Sequence, residues 1–598
     1  MRPLRLAPVF LAVVVGLPGV PAGAGVARVW AVSDGEKVAR DARGHPLAAR
    51  NAVWDGTTVR PFGARNEVVA FQVIVEADGA GARGLSLSLK DLRRRGGPET
   101  ITYAPPAQDP TLSAGRPIQL FSVRDMNVTQ ETHASWAWAP GSPAAPRHTT
   151  GWQPVQLVPE NARAGRGGFP LTVGPGLVQA FWVDVYVGRD RPAGLYDGTI
   201  VVTANGERRP FPVELRVLDF VLPDSNSLPA MVYYDPSEPE LYQGRNLDPA
   251  YHRFAHRQRI ELVHAYDEAL VLAHRGRFDG SDFTPKAGYE GPGEGVGNAI
   301  VPASFYGTGP AFEQRDGAWR RSDAWMAFVA KTLPNALTFL YLPDEPYPAQ
   351  YPEVRRLAGN VRSNPGPGRA LPLFLTKAVV PELEGVPDIW CVPPQELDLK
   401  VAAAERARGR RVWTYNGGRP QGPTPVIDAP ATEARAIAWA SFEHGLGLYF
   451  YWHGVHWRHN GQKQGERNQN VWANPITFDN RGQPGKPVAD QGFINGDGVL
   501  MYPGEEVLHP EEDRGIDGPV STVQLANLRR GLQDHLYLTL ARQAGLEALV
   551  RQVLQSVVPR VYSDAGEAVG FAESGEAYEA ARLALAEAIE KRLREPRR

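Results

Sequence analysis

The distribution of hydrophobic and polar residues divides the chain into a β-rich part and a mixed part. From about residue 26 to 225, apolar or β-branched residues form short runs, and turns rich in Gly, Pro and Asp separate them. The clearest runs cover 67–77, 85–92, 179–188, 198–204 and 211–220. Because these strands follow one another without a convincing helical pattern between them, this part of the chain predicts a β-sandwich.

Beyond residue 223 the pattern changes to short apolar strands, each followed by a polar loop or a helix-like segment. The runs start with "MVYYDP" (231–236) and continue with "AIVPASFYG", "LTFLYLPDEP", "LPLFLTKAV", "DIWCVPP", "RVWTYNGG" and "GLGLYFYWHGVHW". Little alternation of polarity occurs within each run, which is typical of strands buried on both faces of a parallel sheet. This part therefore predicts a (β/α)8 barrel of the TIM type.

Several helices are predicted around these strands. At 249–275 the residues Ile260, Val263, Tyr266 and Leu270 recur every three to four positions, as one face of a helix requires. The segment "DAPATEARAIAWASFEHG" precedes the last strand, and two terminal helices are predicted at 521–558 and 574–595. In the first of these two, Arg529 and Asp534 are expected to contact each other locally. The predicted organisation is a signal peptide (1–24), a β-sandwich (25–225), a (β/α)8 catalytic barrel (226–560) and a C-terminal helical segment (561–598).

The first residues of the chain have the features of an export signal. Arg2 and Arg5 precede the apolar stretch "LAPVFLAVVVGLPGV", and Ala22-Gly23-Ala24 forms a small-residue cleavage site. We expect cleavage after Ala24 and export of the mature chain to the periplasm or the extracellular space. No later stretch reaches the ~18 apolar residues that a membrane span needs. The sequence therefore predicts an exported protein without a membrane span.

Composition removes several classes of function. The net charge is −2 and no block of five like charges occurs, so the electrostatic pattern of a nucleic-acid binder is missing. The single cysteine, Cys391, has apolar neighbours, which predicts a buried and unreactive thiol. Neither a G-x-S-x-G motif nor a phosphate-binding G-x-x-x-x-G-K-[ST] motif is present. The 14 Trp, 20 Tyr and 21 Phe residues suit a protein that binds the flat apolar faces of sugar rings.

Polar and aromatic residues collect at the carboxyl ends of the predicted barrel strands, where barrel enzymes build their active sites. In chain order they are Tyr233, Tyr234, Asp235, Tyr306, Asp344, Glu345, Lys377, Gln395, Glu396, Tyr415, Asn416, Trp452, His453, His456 and Trp457. Sugars need aromatic platforms for their C–H faces and hydrogen-bonding groups for their hydroxyls. The set therefore predicts a carbohydrate site, with Tyr234, Tyr306, Tyr415, Asn416, Trp452, His453, His456 and Trp457 as substrate-binding residues.

The adjacent carboxylates of "FLYLPDEPYP" (339–348) are the candidate catalytic pair. Asp344 and Glu345 point in diverging directions at one strand end, so they do not suit a nucleophile and an acid placed across one bond. They fit the substrate-assisted variant, in which the 2-acetamido group of the sugar attacks the anomeric carbon. Glu345 would then protonate the leaving oxygen, Asp344 would orient the acetamido N–H, and Tyr415 would donate to the acetamido oxygen. A helix cap or solvated turn is the alternative explanation of the two acids.

The same region permits other interpretations. His453, His456 and His459 are spaced by three, but no Asp or Glu lies within six residues of them, so neither a metal site nor a cofactor is predicted. Hydrogen bonding of His453 or His456 to sugar is favoured instead. Trp452 suits core packing as well as a sugar platform. The Gly-Asp-Gly of "INGDGVLMYPG" (494–504) could hold a ligand or simply form a turn before a strand.

Six stretches, in this order, make the chain resemble glycoside hydrolase family 123 and its large relatives. They are "RNEVVAFQVIV", "QAFWVDVYVGRDRPAGLYDGTIVV", "LYLPDEP", "EARAIAWASFEHGLGLYFYW", "GDGVLMYP" and "VQLANLRRGLQDHLYL". The resemblance covers nearly the whole mature chain. It implies an exported β-N-acetylgalactosaminidase with an N-terminal β-sandwich and a catalytic barrel, acting on β-linked GalNAc in a glycan or glycolipid. It places the catalytic Asp-Glu pair of the family on Asp344 and Glu345.

The chain departs from the family pattern at a few positions. Trp452 and Trp457 match the pattern, whereas His453 and His456 do not, and Arg530 stands where an acidic residue is common. Two alternatives to the hexosaminidase stay open. One is a glycosidase of another specificity on the same scaffold, and the other is a carbohydrate-binding protein without turnover.

Overall fold

The computed structural model describes residues 25–458 and 467–595. The predicted signal peptide (1–24) and His459 lie outside the described residues. The strands of the first part are β1 (Val26–Ser33), β2 (Phe62–Arg65), β3 (Glu67–Ala77), β4 (Ala82–Arg94), β5 (Thr100–Thr102), β6 (Ile118–Val128), β7 (Gly151–Pro159), β8 (Leu171–Val173), β9 (Val178–Val187), β10 (Gly194–Ala204) and β11 (Glu207–Val221). Each of the five strands predicted between 67 and 220 is confirmed, within one residue at its ends or as part of a longer strand.

The second part contains shorter strands and most of the helices. The strands are β12 (Ala230–Tyr233), β13 (Glu261–Val263), β14 (Leu340–Tyr341), β15 (Leu373–Thr376), β16 (Ile389–Val392), β17 (Arg411–Tyr415), β18 (Tyr449–Tyr451), β19 (Ile476–Asp479), β20 (Phe493–Asn495), β21 (Met501–Pro503) and β22 (Pro519–Thr522). The helices are α1 (Ser237–Gln243), α2 (Asp248–Arg257), α3 (Glu268–Ala273), α4 (Arg275–Asp279), α5 (Arg315–Thr332), α6 (Tyr351–Arg362), α7 (Leu399–Ala407), α8 (Thr432–His444), α9 (Val523–Gln543), α10 (Glu547–Val557) and α11 (Gly575–Arg594). The protein is thus a mixed α/β chain with several sheets.

Two mainly antiparallel sheets are built from the first part. One has the strand order β1-β3-β9-β6-β7-β22-β21, and the other has the order β2-β11-β10-β4-β5, with β8 paired to β4. Their apolar side chains share one core, which includes Phe71 and Trp182 from the first sheet and Leu89 and Leu215 from the second. The predicted β-rich part is confirmed, and its description as a β-sandwich stays a prediction.

The second part forms a seven-stranded parallel sheet with the order β13-β12-β18-β17-β16-β15-β14. Its strands are apolar on both faces, as the sequence predicted. On β15, Phe374 joins an inner aromatic cluster, while Leu373 and Leu375 pack into the core shared with the helices. A strand covered on both sides needs no polar face, which explains why the runs show little alternation.

An eighth segment lies beside the β14 edge of this sheet. Ile300 forms a parallel bridge with Leu337, and the amides of Val301 and Ala303 donate to backbone carbonyls of the β14 segment. On its other side, the carboxylate of Glu261 on β13 accepts hydrogen bonds from the backbone N–H of Ile300, at 2.8 Å, and of its neighbour Ala299, at 2.9 Å. The parallel sheet with covering helices is therefore established, and the closed (β/α)8 barrel stays a prediction.

One predicted helix is wrong. The segment 249–275 does not form a single helix, because α2 ends at Arg257 and Arg259 adopts a left-handed backbone with φ of 61°. The chain then enters β13, and Leu262 and Val263 pack into two different apolar clusters. Of the four regularly spaced residues, Val263 lies in β13 and Leu270 in α3, while Ile260 and Tyr266 lie outside both elements, so the spacing does not come from one helix.

The terminal helices are confirmed, with a break at Gly545, which has a positive φ of 78° between α9 and α10. The predicted contact between Arg529 and Asp534 is wrong. Arg529 donates two hydrogen bonds of 2.7 and 2.8 Å to Asp184 on β9, and Asp534 accepts a 2.6 Å bond from Arg435 on α8. Both residues therefore join different elements rather than neighbouring turns of one helix.

A buried network of charged side chains ties the C-terminal helices to the first sheet. Glu67 on β3 accepts hydrogen bonds from Arg530 on α9 and from Arg582 on α11. Glu579 on α11 accepts bonds of 2.8 Å from Arg435 and 3.0 Å from Arg530. Because these groups are removed from water, each charge depends on its partners. The network fixes α8, α9 and α11 against β3.

The sheets also cross the predicted domain boundary. Ser521 on β22 pairs with Leu157 on β7, so residues 501–522 extend a sheet whose other strands lie before residue 188. The predicted domain boundaries themselves stay a prediction. Across residues 25–458 and 467–595, none of the helices combines the length and the apolar character that crossing a membrane requires.

Candidate active site

A cavity of about 650 Å³ opens at the carboxyl end of the parallel sheet. Residues that follow five neighbouring strands line it. They are Asp344 and Glu345 after β14, Thr376 and Lys377 at β15, Gln395 and Glu396 after β16, Tyr415 and Asn416 at β17, and Trp452 after β18. Parallel strands end at one edge of their sheet, so residues far apart in sequence meet there.

Two inward-facing tyrosines form the floor of the cavity. Tyr341 on β14 and Tyr415 on β17 belong to the inner aromatic cluster, together with Phe374 and Phe450. Each ring is nearly covered by its neighbours, while each hydroxyl reaches a carboxylate at the strand ends. The aromatic core of the sheet thereby holds two hydroxyl groups in fixed positions under Asp344 and Glu345.

Asp344 is held by two hydroxyl groups. Its Oδ1 accepts hydrogen bonds of 2.7 Å from the Tyr341 hydroxyl and 2.7 Å from the Thr376 hydroxyl. Both donors favour the ionised carboxylate. The contacts recorded among the described residues all go to Oδ1, so Oδ2 is available to a ligand in the cavity.

Glu345 has a different set of partners. Its backbone N–H donates to the Thr376 hydroxyl at 3.2 Å, and its Oε1 accepts a 2.6 Å hydrogen bond from the Tyr415 hydroxyl. Its backbone is left-handed, with φ of 43°. Tyr306 and Asn416, which also line the cavity, have φ of 52° and 53°. Three non-glycine residues in this disfavoured region around one cavity are typical of a functional site.

The two carboxyl groups differ in how readily they ionise. Both side chains are exposed to the cavity, and desolvation by the protein around them raises the pKa of each. The hydroxyls of Thr376 and Tyr341 oppose the rise in the pKa of Asp344. The negative charge of Asp344 raises the pKa of Glu345 further, while the Tyr415 hydroxyl and the Lys486 ammonium oppose it. Where the pair holds a single proton, these contacts therefore favour its position on Glu345 rather than on Asp344.

The structure brings four of the predicted substrate-binding residues to the cavity. Tyr415 lies below Glu345, and the exposed ring of Tyr306 donates its hydroxyl to the backbone carbonyl of Trp452. The Asn416 side chain accepts a 3.1 Å hydrogen bond from the backbone N–H of Trp452. The half-buried Trp452 ring lines the cavity wall.

The other four predicted residues do not line the cavity. Tyr234 and Trp457 are fully buried in one apolar core. His453 accepts a 3.1 Å hydrogen bond from Val455, and its burial lowers its pKa to about 3. His456 is 4% exposed and packs beside Trp452. For His453, His456 and Trp457 the reason is that the chain turns back into the core directly after Trp452, whereas Tyr234 enters the core directly after β12.

Sequence reasoning missed several residues of the lining. Asp497 comes from the Gly-Asp-Gly turn between β20 and β21, whose possible ligand contact the sequence left open. Lys486 comes from the loop between β19 and β20, while Trp136 belongs to the loop between β6 and β7 in the first part of the chain. The Trp136 ring contacts Phe478 edge to face at 5.9 Å. Only tertiary folding places these distant loops over the parallel sheet.

The cavity offers oxygen and amine groups for a polar organic ligand. Within residues 25–458 and 467–595, no group of three or more His, Cys, Asp or Glu side chains is arranged to hold a metal ion. Cys391 is buried below the cavity, and desolvation raises the pKa of its thiol, which keeps it protonated. The Asp344–Glu345 pair and its hydroxyl donors are the candidate reactive groups of the cavity.

Comparison with solved structures gives an informative likeness. Neither a protein-family model nor a curated protein matches the chain. A solved structure of a family 123 glycoside hydrolase from Clostridium perfringens, described in work on glycolipid glycan hydrolysis, matches 94% of this chain and 97% of its own, with 12% identity and a TM-score of 0.59. A β-glucuronidase from Parabacteroides merdae matches 79% of this chain and 50% of its own, with 10% identity and a TM-score of 0.27, too low to carry an argument. The first likeness shows a shared fold and confirms the resemblance at that level.

Proposed function

We propose that the protein is an exported glycoside hydrolase that removes β-linked N-acetylgalactosamine from glycans or glycolipids with retention of configuration. The observation that carries the proposal is the unequal environment of two adjacent carboxyl groups. Asp344 receives two hydroxyl donors on one oxygen, while Glu345 lies beside the charge of Asp344. The fold shared with a family 123 glycoside hydrolase supports the same assignment.

Glu345 is the general acid in this proposal. Desolvation and the neighbouring Asp344 raise its pKa, so the carboxyl group retains a proton for the leaving oxygen. Its Oε1 already accepts from Tyr415, which leaves Oε2 to carry that proton. As the proton moves to the glycosidic oxygen, the bond between that oxygen and the anomeric carbon breaks.

The nucleophile is the acetamido carbonyl oxygen of the substrate itself. It forms a bond to the anomeric carbon as the leaving group departs, which gives a cyclic oxazolinium ion. Asp344 accepts a hydrogen bond from the acetamido N–H through Oδ2 and stabilises the positive charge. The hydroxyls of Tyr341 and Thr376 keep its carboxylate oriented for this role.

The second half of the reaction restores the enzyme. Glu345, now a carboxylate, takes a proton from a water molecule that attacks the anomeric carbon. The bond between that carbon and the acetamido oxygen breaks, and the acetamido group is regenerated. Two displacements at one carbon retain its configuration.

Tyr415 has two roles in the proposal. In the substrate-free site its hydroxyl holds Glu345. Donation to the acetamido oxygen, the role predicted from the sequence, requires the hydroxyl to exchange partner when the sugar enters. Tyr306 and Trp452 contribute ring surface, and Asn416 holds the backbone of Trp452.

The decisive experiment compares four p-nitrophenyl β-glycosides with the mature chain: those of N-acetylgalactosamine, N-acetylglucosamine, galactose and unsubstituted galactosamine. The first should be the best substrate. Glu345→Gln should lower its turnover by about 10² to 10⁴-fold, while Glu353→Gln on the exposed face of α6 should leave it unchanged. A thiazoline analogue of the oxazolinium ion should inhibit competitively.

Each contrary result has a definite meaning. Preference for galactoside over both N-acetyl substrates would indicate another glycosidase specificity. Sugar binding without hydrolysis of any of the four substrates would indicate a carbohydrate-binding protein. Full turnover by Glu345→Gln would exclude the proposed acid. Secretion is tested by expression with and without residues 1–24 and detection of the chain outside the cytoplasm.

A further inference from the structure

Asp497 is one of three further carboxylates that line the cavity, with Glu396 and Asp490, and the proposed mechanism has no role for it. It lies in the turn between Gly496 and Gly498, which have φ of 78° and 75°. A Cβ atom at Gly498 would lie 2.6 Å from the Trp452 ring, so this position needs glycine for the close approach of the turn. The Gly-Asp-Gly motif therefore allows the turn that carries Asp497 to pack closely against Trp452 in the cavity wall.

The contacts of Asp497 are concentrated on one oxygen. Its Oδ1 accepts a 2.8 Å hydrogen bond from the indole N–H of Trp452 and a 3.0 Å bond from the Tyr451 hydroxyl. Among residues 25–458 and 467–595, these side-chain hydrogen bonds go to Oδ1, and Asp497 itself lines the cavity. Desolvation raises the pKa of Asp497, while these two donors and the backbone N–H of Gly498 oppose the rise.

The Trp452 ring and the Asp497 carboxylate form one continuous part of the cavity wall. The indole ring lines the cavity, and the carboxylate lies at the N–H edge of that ring. A sugar that stacks its C–H face on an aromatic ring projects its hydroxyls sideways, toward the groups at the ring edge. A carboxylate oxygen at this edge is well placed to accept from one of these hydroxyls.

The position of Asp497 and Trp452 relative to Asp344 and Glu345 indicates which sugar hydroxyl Asp497 can contact. Asp497 is held by residues of β18 and its end, and Asp344 follows β14, four positions away in the strand order of the parallel sheet. If Glu345 protonates the oxygen on C1 and Asp344 holds the nitrogen on C2, the opposite wall faces the other side of the sugar ring. C4 lies across the ring from C1, and C5, which carries C6, lies across from C2.

We propose that Asp497 determines specificity by accepting a hydrogen bond from the C4 or C6 hydroxyl of the sugar that stacks on Trp452. This inference rests on the proposed hydrolase function and deepens it, because it assigns recognition of the far side of the sugar to a residue outside the catalytic pair. A site built to bind a hydroxyl discriminates strongly against an analogue that lacks it.

The test measures kcat/KM for p-nitrophenyl N-acetyl-β-galactosaminide and its 3-, 4- and 6-deoxy analogues. Wild type should lose about 10- to 100-fold on the 4- or the 6-deoxy substrate, which corresponds to one hydrogen bond to a charged group, and less on the 3-deoxy substrate. In Asp497→Asn this ratio of parent to deoxy substrate should fall at least fivefold. Asn retains an oxygen that accepts from Trp452 and Tyr451, so the ring stays supported.

The ratio separates recognition from a structural role. If Asp497 only supports Trp452, Asp497→Asn and Asp497→Ala will lower kcat/KM for all four substrates by a common factor. The ratio of parent to deoxy substrate will then be unchanged, and this result will overturn the proposal. Equal kcat/KM of wild type on all four substrates would overturn it as well. Asp316→Asn, whose side chain is 69% exposed on α5, is the matched control and should keep the wild-type ratios.

A binding measurement distinguishes this proposal from the hydrolase proposal. If wild type cleaves none of the glycosides, the proposed function fails, and calorimetric titration with N-acetylgalactosamine and its 4- and 6-deoxy forms still tests Asp497. Tighter binding of the parent sugar by wild type, lost in Asp497→Asn, supports the role of Asp497. Absence of binding, or the same preference in both proteins, overturns it.

Discussion

The hydroxyl of Tyr415 donates a 2.6 Å hydrogen bond to Oε1 of Glu345 across a separation of 70 residues. Tyr415 ends β17 and Glu345 follows β14, three positions along the parallel sheet. The bond therefore depends on the curvature of the whole sheet. It connects the aromatic core to the proposed general acid, and it makes the ionisation of that acid sensitive to single substitutions.

Removal of the Tyr415 hydroxyl should shift the basic limb of the pH profile of kcat/KM to higher pH. The hydroxyl stabilises the ionised form of Glu345, so Tyr415→Phe raises the pKa of a carboxyl group whose pKa desolvation already raises. Because the acid must be protonated, kcat/KM should then persist to higher pH than in wild type. The pH dependence of kcat/KM reports the free enzyme and measures this shift directly.

The matched control for this change is Tyr103→Phe. That hydroxyl donates to Glu160 in the first part of the chain, away from the cavity, so its loss should leave the profile in place. A basic limb of Tyr415→Phe that stays at the wild-type position, or moves to lower pH, would show that Glu345 is not the group that titrates there.

Asp344→Asn should move the same limb in the opposite direction. The charge of Asp344 raises the pKa of Glu345, and its removal lowers that pKa, so activity should decline at lower pH than in wild type. The substitution also removes the stabilisation of the oxazolinium ion, so kcat should fall by about 10²-fold or more. Profiles of the residual activity with an activated aryl substrate measure both effects.

Opposite shifts in Tyr415→Phe and Asp344→Asn are a stronger result than either alone. A general loss of structure would lower activity without moving the limb in opposite directions. Shifts of the same sign in the two variants would contradict the assignment of Glu345 as acid and Asp344 as its charged neighbour.

The buried charged network predicts a large effect on stability at a site far from the cavity. Burial alone would raise the pKa of Glu579, but the guanidinium groups of Arg530, Arg435 and Arg582 hold it below its usual value. Glu579→Gln removes the carboxylate that Arg435 and Arg530 share, although Asp534 and Glu67 remain beside them, and it should lower the free energy of unfolding by about 3–5 kcal/mol. Guanidinium chloride unfolding of both proteins at neutral pH measures the difference.

The sign of the pH dependence follows from the lowered pKa. The contribution of Glu579 is present above the pKa of the unfolded chain and is lost as the pH falls toward the lower folded value. Glu587→Gln on the same helix, with a side chain 58% exposed, is the control and should change stability by no more than about 0.5 kcal/mol. Equal stability of Glu579→Gln and wild type would mean that the network contributes specificity rather than stability.

Local pattern was sufficient to find the strands and the catalytic candidates. β3, β9 and β11 follow β-rich runs, and Asp344 and Glu345 follow a short apolar run with a proline on each side. These features are local in sequence. A run of apolar residues and the polar residues and prolines that end it both lie within about ten positions of each other. The same holds for α8 and the terminal helices.

The rest of the site depends on contacts that local pattern does not contain. Trp136 and Asp497 reach the cavity through loops that precede or follow the catalytic strands by many residues. His453 and Trp457 follow a strand end as Trp452 does, yet the chain turns back into the core between them. All three residues lie close to a strand end, so the sequence predicted sugar contact for each of them. Only the packing of the folded chain shows that the Trp452 ring lines the cavity while His453 and Trp457 lie in the core.

The central claim is that the acetamido group of the substrate is the nucleophile, guided by Asp344 while Glu345 supplies the proton. The most direct test is the series of p-nitrophenyl β-galactosaminides whose N-acetyl group carries zero, one, two or three fluorine atoms. Fluorine withdraws electrons from the carbonyl oxygen and weakens it as a nucleophile, so kcat/KM should fall steeply with each atom added. Equal rates across the series, or no hydrolysis of the unfluorinated substrate, would contradict the account.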